Sequence, residues 1–139
     1  NYNLQNSHVL PALMRKFHEA KINNLPVVEV WGSGNPMREF LHVDDLAEAC
    51  FFLMMNYDGH QFINAGSGND ISIRELAEMI RDITGYTGAL VFNPEKPDGT
   101  PRKLLDSSRI NELGWKSKIS LKEGIAATYR SYLKDPAIV

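Results

Sequence analysis

The stretch VWGSGNPMREFLHVDD, Val30 to Asp45, sets the terms on which this chain can fold. It reads as a β-branched strand, a tight reversal, a second extended run and the acidic start of a helix. Gly32 and Gly34 flank Ser33, and Asn35-Pro36 follows, so the backbone can turn where larger side chains would clash. The reversal predicts that Trp31 and Arg38 lie close together. An aromatic plate beside a guanidinium suits a flat, anionic ligand, because the plate stacks on a ring while the fork takes two oxygens. From these two residues alone, a hairpin aromatic and a solvated edge charge account for the pair at least as well.

Upstream, from Ser7 to about Ile22, Val9, Leu10, Leu13, Met14, Phe17 and Ala20 recur at helical spacing opposite Arg15, His18, Glu19 and Lys21. Pro11 fits only the first turn, which places the N-terminal end of the helix around Ser7 to Leu10. N–H groups exposed there attract anions. Val27 to Trp31 reads as a strand, and Met37 to Val43 as extended. Asp44 or Asp45 can cap the next helix, which runs to about Met55. That helix is apolar on nearly every side, through Leu46, Ala49, Phe51, Leu53 and Met54, so it must be covered all round. A domain of this size struggles to supply such cover, which implies a packing partner outside the chain.

Downstream, Gln61 to Ala65 reads as a short strand and Gly66 to Asp70 as a loop. Ser72 with Glu75 forms a capping box, Ile71 with Leu76 a staple, and Gly85 a left-handed stop. Ala89 to Phe92 is another short strand. Residues 93–103 hold Pro94, Pro97, Pro101 and Gly99 and form a long, stiffened loop of the kind that carries function. Asp106 caps a short helix ending at Gly114. Ser120 with Glu123 opens the last helix, which ends at Asp135-Pro136. The expected fold is α/β, with small sheets and about four helices, as one domain over residues 1–139.

The net charge of −2 provides no general basic field for nucleic acid or an anionic membrane, so an anionic ligand has to be met by local cations. The longest apolar run, Ala49 to Met55, is too short to cross a bilayer, and no secretory signal opens the chain; this points to the cytoplasm. A single cysteine, Cys50, rules out an internal disulfide and a cysteine-based zinc site, and no metal is expected. The chain begins at Asn1 and enters its first helix almost at once, as the back part of a longer protein does.

The pattern WGxGxxxREFxHVDD resembles a segment in the C-terminal, substrate-binding part of extended short-chain dehydrogenase/reductases that act on nucleotide-sugars. NSHVLPALMRKFHEAK near the start and KPDGTPRKLLD from Lys96 to Asp106 narrow the resemblance to the GDP-L-fucose synthase family. Together the three stretches span nearly the whole chain in the family's order. The resemblance implies an NADPH-dependent conversion of GDP-4-keto-6-deoxy-D-mannose to GDP-L-fucose, with C3 and C5 inverted and the C4 ketone reduced. It implies that the Rossmann domain holding most of the cofactor lies outside this chain, that the parent is a homodimer, and that the chain alone is catalytically silent.

Residue by residue, the resemblance makes His8 an acid/base group for epimerisation that also lies against the nicotinamide cofactor. Lys16 would contact the nucleotide diphosphate and, two turns from His8, could face the same ligand. Trp31 would lie near the guanine or ribose, Arg38 near the phosphates, and Asp98 and Lys103 would reach the nucleotide. Aspartate before glycine is also ordinary turn chemistry, so Asp98 keeps that reading too. His18, His42 and Cys50 match no family role. The GSGND loop is not a G-x-G-x-x-G fingerprint, since Ile71 stands at the sixth position. Two alternatives stay open: another NDP-sugar epimerase, dehydratase or reductase, or a stand-alone sugar-nucleotide binding module.

Overall fold

Ser72 and Ser120 open their helices as the sequence predicts. Each hydroxyl accepts the backbone N–H of the glutamate three residues on, and that glutamate reaches back to the serine N–H. Gly85 closes the first of these helices at φ 71°. Around these fixed points the computed structural model, which describes residues 2 and 7–134, orders ten elements. They are α1 (Val9–Ile22), β1 (Val27–Trp31), β2 (Met37–Glu39), α2 (Val43–Asn56), β3 (Asp70–Ser72), α3 (Ile73–Thr84), β4 (Ala89–Asn93), β5 (Arg102–Lys103), α4 (Ser108–Glu112) and α5 (Leu121–Tyr132). The fold is α/β with small sheets; the short α4 takes the helices one past the expected four. The predicted helix end at Asp135-Pro136 lies outside the described residues.

β1 pairs in parallel with β4, while β2 lies between antiparallel β3 and parallel β5. The glycine turn is therefore not a hairpin. Gly32 N–H donates to Asn93 O, and Gly34 O accepts from Arg74 N–H, so the turn is stitched to β4 and α3. It passes the chain from one sheet into the other.

The main core lies where α1, α3 and α5 meet β1, built from Met14, Phe17, Leu76, Ile80, Ile125 and Tyr132 among others. His18 belongs to this core and not to the polar face on which helical spacing put it. It is 8% exposed, its Nδ1 lies 3.0 Å from the Tyr129 hydroxyl, and its ring meets Tyr132 edge-on. Burial pushes its pKa below the ordinary histidine value, with Glu19 opposing and Lys21 reinforcing the shift. A smaller cluster of Ala49, Ile110 and Trp115 lies under α2.

Two further expectations are corrected. Residues 61–65 carry no strand; the strand instead is β3, whose pairing with β2 is non-local and so invisible in local pattern. Neither Asp44 nor Asp45 caps α2: His42 does, its Nδ1 accepting the Asp44 N–H at 3.3 Å. Asp45 is instead buried, and its carboxylate accepts the N–H groups of Lys118 and Ile119 at 3.0–3.2 Å, bolting α2 to the entry of α5. Asp45→Ala strands both donors and is expected to cost about 2 kcal/mol in urea unfolding, with Asp45→Asn recovering part through its one remaining acceptor oxygen.

Beyond Asp45 and Ala49, α2 buries nothing fully among the described residues. Val43, Phe51, Met54 and Met55 are each more than 60% exposed. The all-round apolar helix lies uncovered on one side. No described helix is long and apolar enough to cross a membrane.

Candidate nucleotide site

Alternation along β1 turns Val28 and Val30 inward and Val27, Glu29 and Trp31 outward, leaving the indole 60% exposed. The turn after it is rigidly held. Gly32 and Gly34 have φ of 85° and 82°, and a Cβ on Gly34 would meet Phe92 Cε1 at 2.7 Å. Ser33 donates its N–H and hydroxyl to the two Asp98 oxygens at 2.6 and 2.7 Å. From the other side Arg74 donates to Ser33 O at 2.8 Å while its guanidinium stacks 3.9 Å over Phe92. Asp98 is thus engaged as the clamp of this turn, with both its oxygens on Ser33.

Two ammonium groups approach the exposed indole, Lys16 Nζ at 5.4 Å from the ring centroid and Lys96 Nζ at 5.5 Å. Lys16 also donates to Glu29 O at 3.2 Å, and its partial burial lowers its pKa, a shift that Glu29 partly offsets.

A cavity of about 780 Å³ has His8, Arg38, Phe40, His42, Lys103 and Thr128 in its wall, and no residue of the turn. Three of the six candidates therefore share one space. Arg38 stands in register with Lys103 across the parallel β2/β5 pair. Its Nη1 donates to Met37 O at 2.7 Å, and neither cation has a carboxylate partner among the described residues, whereas Arg102 is paired with Asp70 at 2.5 Å. His8 is the N-terminal cap residue of α1, exposed and without a side-chain capping bond, so its imidazole is free for other work.

Lys16, Trp31 and Asp98 do not line this cavity. The expected sharing of one ligand by His8 and Lys16 thus needs a molecule long enough to reach from the cavity to the indole. The bridge between the two regions is the residue after Asp98: a Cβ on Gly99 would stand 3.7 Å from Arg38 Nη2.

Sequence reasoning missed two residues. Glu39 accepts the Gly68 N–H at 2.7 Å and the Ser67 hydroxyl at 3.3 Å on one oxygen, and the Leu105 N–H at 2.9 Å on the other. It fixes the strand that carries Lys103 and fills the GSGND loop with the chain's own carboxylate, in keeping with the reading of that loop as no phosphate cradle. Nothing in the local sequence around Glu39 marks this role, because its partners lie in two distant loops. Lys96 belongs to the KPDGTPRKLLD stretch, but its place over Trp31 depends on β1/β4 register.

Comparison with known proteins follows the same lines. Residues 1–66 match the NAD dependent epimerase/dehydratase family. GDP-L-fucose synthase 1 of Arabidopsis thaliana is 56% identical over 135 residues, which cover 97% of this chain and 42% of that protein. GDP-L-fucose synthase of Escherichia coli (strain K12) is 51% identical over 146 residues, covering 97% of this chain and 45% of that protein. A gdp-l-fucose synthetase from Naegleria fowleri bound to NADP superimposes with a TM-score of 0.90 at 30% identity, over 96% of this chain and 42% of that one. The chain spans less than half the length of these relatives.

Proposed function

From a chain homologous over nearly all its described length to GDP-L-fucose synthases, we propose that it forms the nucleotide-sugar-binding part of an NADPH-dependent epimerase/reductase acting on GDP-4-keto-6-deoxy-D-mannose. The observation that carries this reading is the pairing of an exposed indole at one end of a rigid turn with two carboxylate-free cations, Arg38 and Lys103, at the other. A purine and a diphosphate ask for those two environments, a flat aromatic face and a pair of cations. In this reading the base stacks on Trp31, the phosphates meet Lys16, Arg38 and Lys103, and the hexose enters the cavity at His8. His8 there delivers the proton that completes inversion on one face of the sugar. Asp98 acts by clamping Ser33 and so presenting the indole, and its carboxylate can in addition accept from guanine.

The described residues do not fit a dinucleotide cofactor by themselves. Their one glycine-rich loop leading into a helix has its Gly68 N–H on Glu39, so no pyrophosphate cradle is open there. NADPH binding is accordingly assigned to the remainder of a longer parent, with His8 at its edge, and the uncovered side of α2 is the surface on which that remainder packs. The parent is expected to be a homodimer, and the isolated chain to bind without turning over.

Titration of the chain with GDP, UDP and dTDP tests the assignment through tryptophan fluorescence, because Trp31 is exposed and Trp115 is 3% exposed. Saturable quenching by GDP, at least tenfold tighter than by UDP or dTDP and lost in Trp31→Phe, is the expected outcome. Preference for UDP or dTDP moves the protein to another NDP-sugar enzyme. No response from the folded chain removes the assignment.

A further inference from the structure

Lys96 reaches the Trp31 indole because two neighbouring strands end together. In the parallel β1/β4 pair Trp31 stands opposite Asn93. Immediately beyond, the chain turns back, with Lys96 N–H donating to Asn93 O at 3.2 Å. The Asn93 side chain braces this turn, its oxygen taking the Glu95 N–H and its nitrogen donating to Glu29 Oε2. Strand register and one asparagine thus bring a second ammonium over a ring that Lys16 already approaches.

The two lysines differ in how they are held. Lys16 is partly buried and tied to the Glu29 carbonyl. Lys96 is exposed, and among the described residues its ammonium has no hydrogen bond and no carboxylate partner; the ring is its one recorded contact. A cation over an exposed ring is weakly held, and an aromatic base stacking on the same ring is held more strongly. A base arriving at Trp31 therefore dislodges Lys96 in preference to Lys16. The freed ammonium, on a flexible four-carbon stem, is left beside a ligand whose far end carries phosphates.

We propose that Lys96 is a ligand-responsive anion contact, resting on Trp31 in the empty site and passing to the diphosphate of a nucleoside diphosphate when the base takes its place. This rests on the nucleotide-sugar reading above and adds to it a residue and a movement. Like-charged Lys16 over the same ring favours the transfer, since both ammoniums gain from an anion between them.

Lys96→Met keeps the stem and removes the charge; Lys96→Arg keeps a charge. Calorimetric titration of the chain with GDP and with guanosine separates the two halves of the effect. Lys96→Met is expected to weaken GDP about tenfold and flatten its salt dependence, to leave guanosine unchanged or tighter, and to be largely rescued by Lys96→Arg. Equal losses for GDP and guanosine, or GDP affinity within about twofold of the unaltered chain, overturn the proposal while the nucleotide site stands. Failure of the unaltered chain to bind either ligand removes the site, and this role of Lys96 with it.

Discussion

Gly34→Ala is expected to destabilise the chain by about 3 kcal/mol. Two penalties combine. The backbone at Gly34 sits at φ 82°, which an L side chain adopts only with strain, and the new Cβ would press on the Phe92 ring at 2.7–2.9 Å and on Arg74 Cβ at 3.2 Å. Phe92 cannot swing away, because the Arg74 guanidinium is stacked on its face and anchored to Ser33 O. Relief has to come from the turn itself, which loosens Ser33 from Asp98 and lets the indole wander. GDP binding should therefore fall together with stability. Gly68→Ala is the internal comparison: its φ of 75° carries the same strain, but nothing lies within 4 Å of the added Cβ. It should cost about 1 kcal/mol, and urea unfolding of the two variants side by side isolates the steric part.

Arg38→Ala is expected to weaken GDP about a hundredfold with little change in stability. The guanidinium is anchored to the fold by a single recorded bond, to the neighbouring Met37 carbonyl, so its removal strands no buried partner. What is lost is a planar donor fork facing a cavity in which Lys103 is the adjacent cation. Arg38→Lys should recover only part of the affinity, because an ammonium supplies charge without the bidentate geometry. Guanosine, lacking phosphates, should bind Arg38→Ala and the unaltered chain alike. Calorimetry with both ligands reads the difference directly.

What could be read from sequence follows the range of the interactions. Both capping boxes and the Gly85 stop are set by residues within four positions of one another, and they stand where the pattern put them. The strands at Val27–Trp31 and Ala89–Asn93 were legible, but their parallel pairing was not, since it joins residues more than sixty positions apart. Pairings between residues more than thirty positions apart likewise hid the sheet change at the glycine turn, the strand at Asp70–Ser72 and the seat of Lys96. His18 was misplaced because spacing along α1 cannot show that Tyr129 and Tyr132 of α5 would come to enclose it. Capping preference favours Asp44 or Asp45 over His42, but the Asp45 carboxylate is committed to Lys118 and Ile119, and His42 accepts the Asp44 N–H instead. The uncovered side of α2, by contrast, follows from the local pattern: a helix apolar on nearly every side is hard for so short a chain to enclose.

The central claim is that one nucleotide lies from Trp31 to Arg38 and Lys103. Amide and indole NMR shifts followed through a GDP titration test it most directly, since they report position as well as affinity. The account predicts saturable shifts at the Trp31 indole N–H and at the Gly32–Gly34, Arg38, Gly99 and Lys103 amides, with the Trp115 indole and the Gly66–Gly68 amides still. Shifts centred on Gly66–Gly68 and the start of α3, with Trp31 and Arg38 unmoved, would contradict it and make that loop the phosphate site instead.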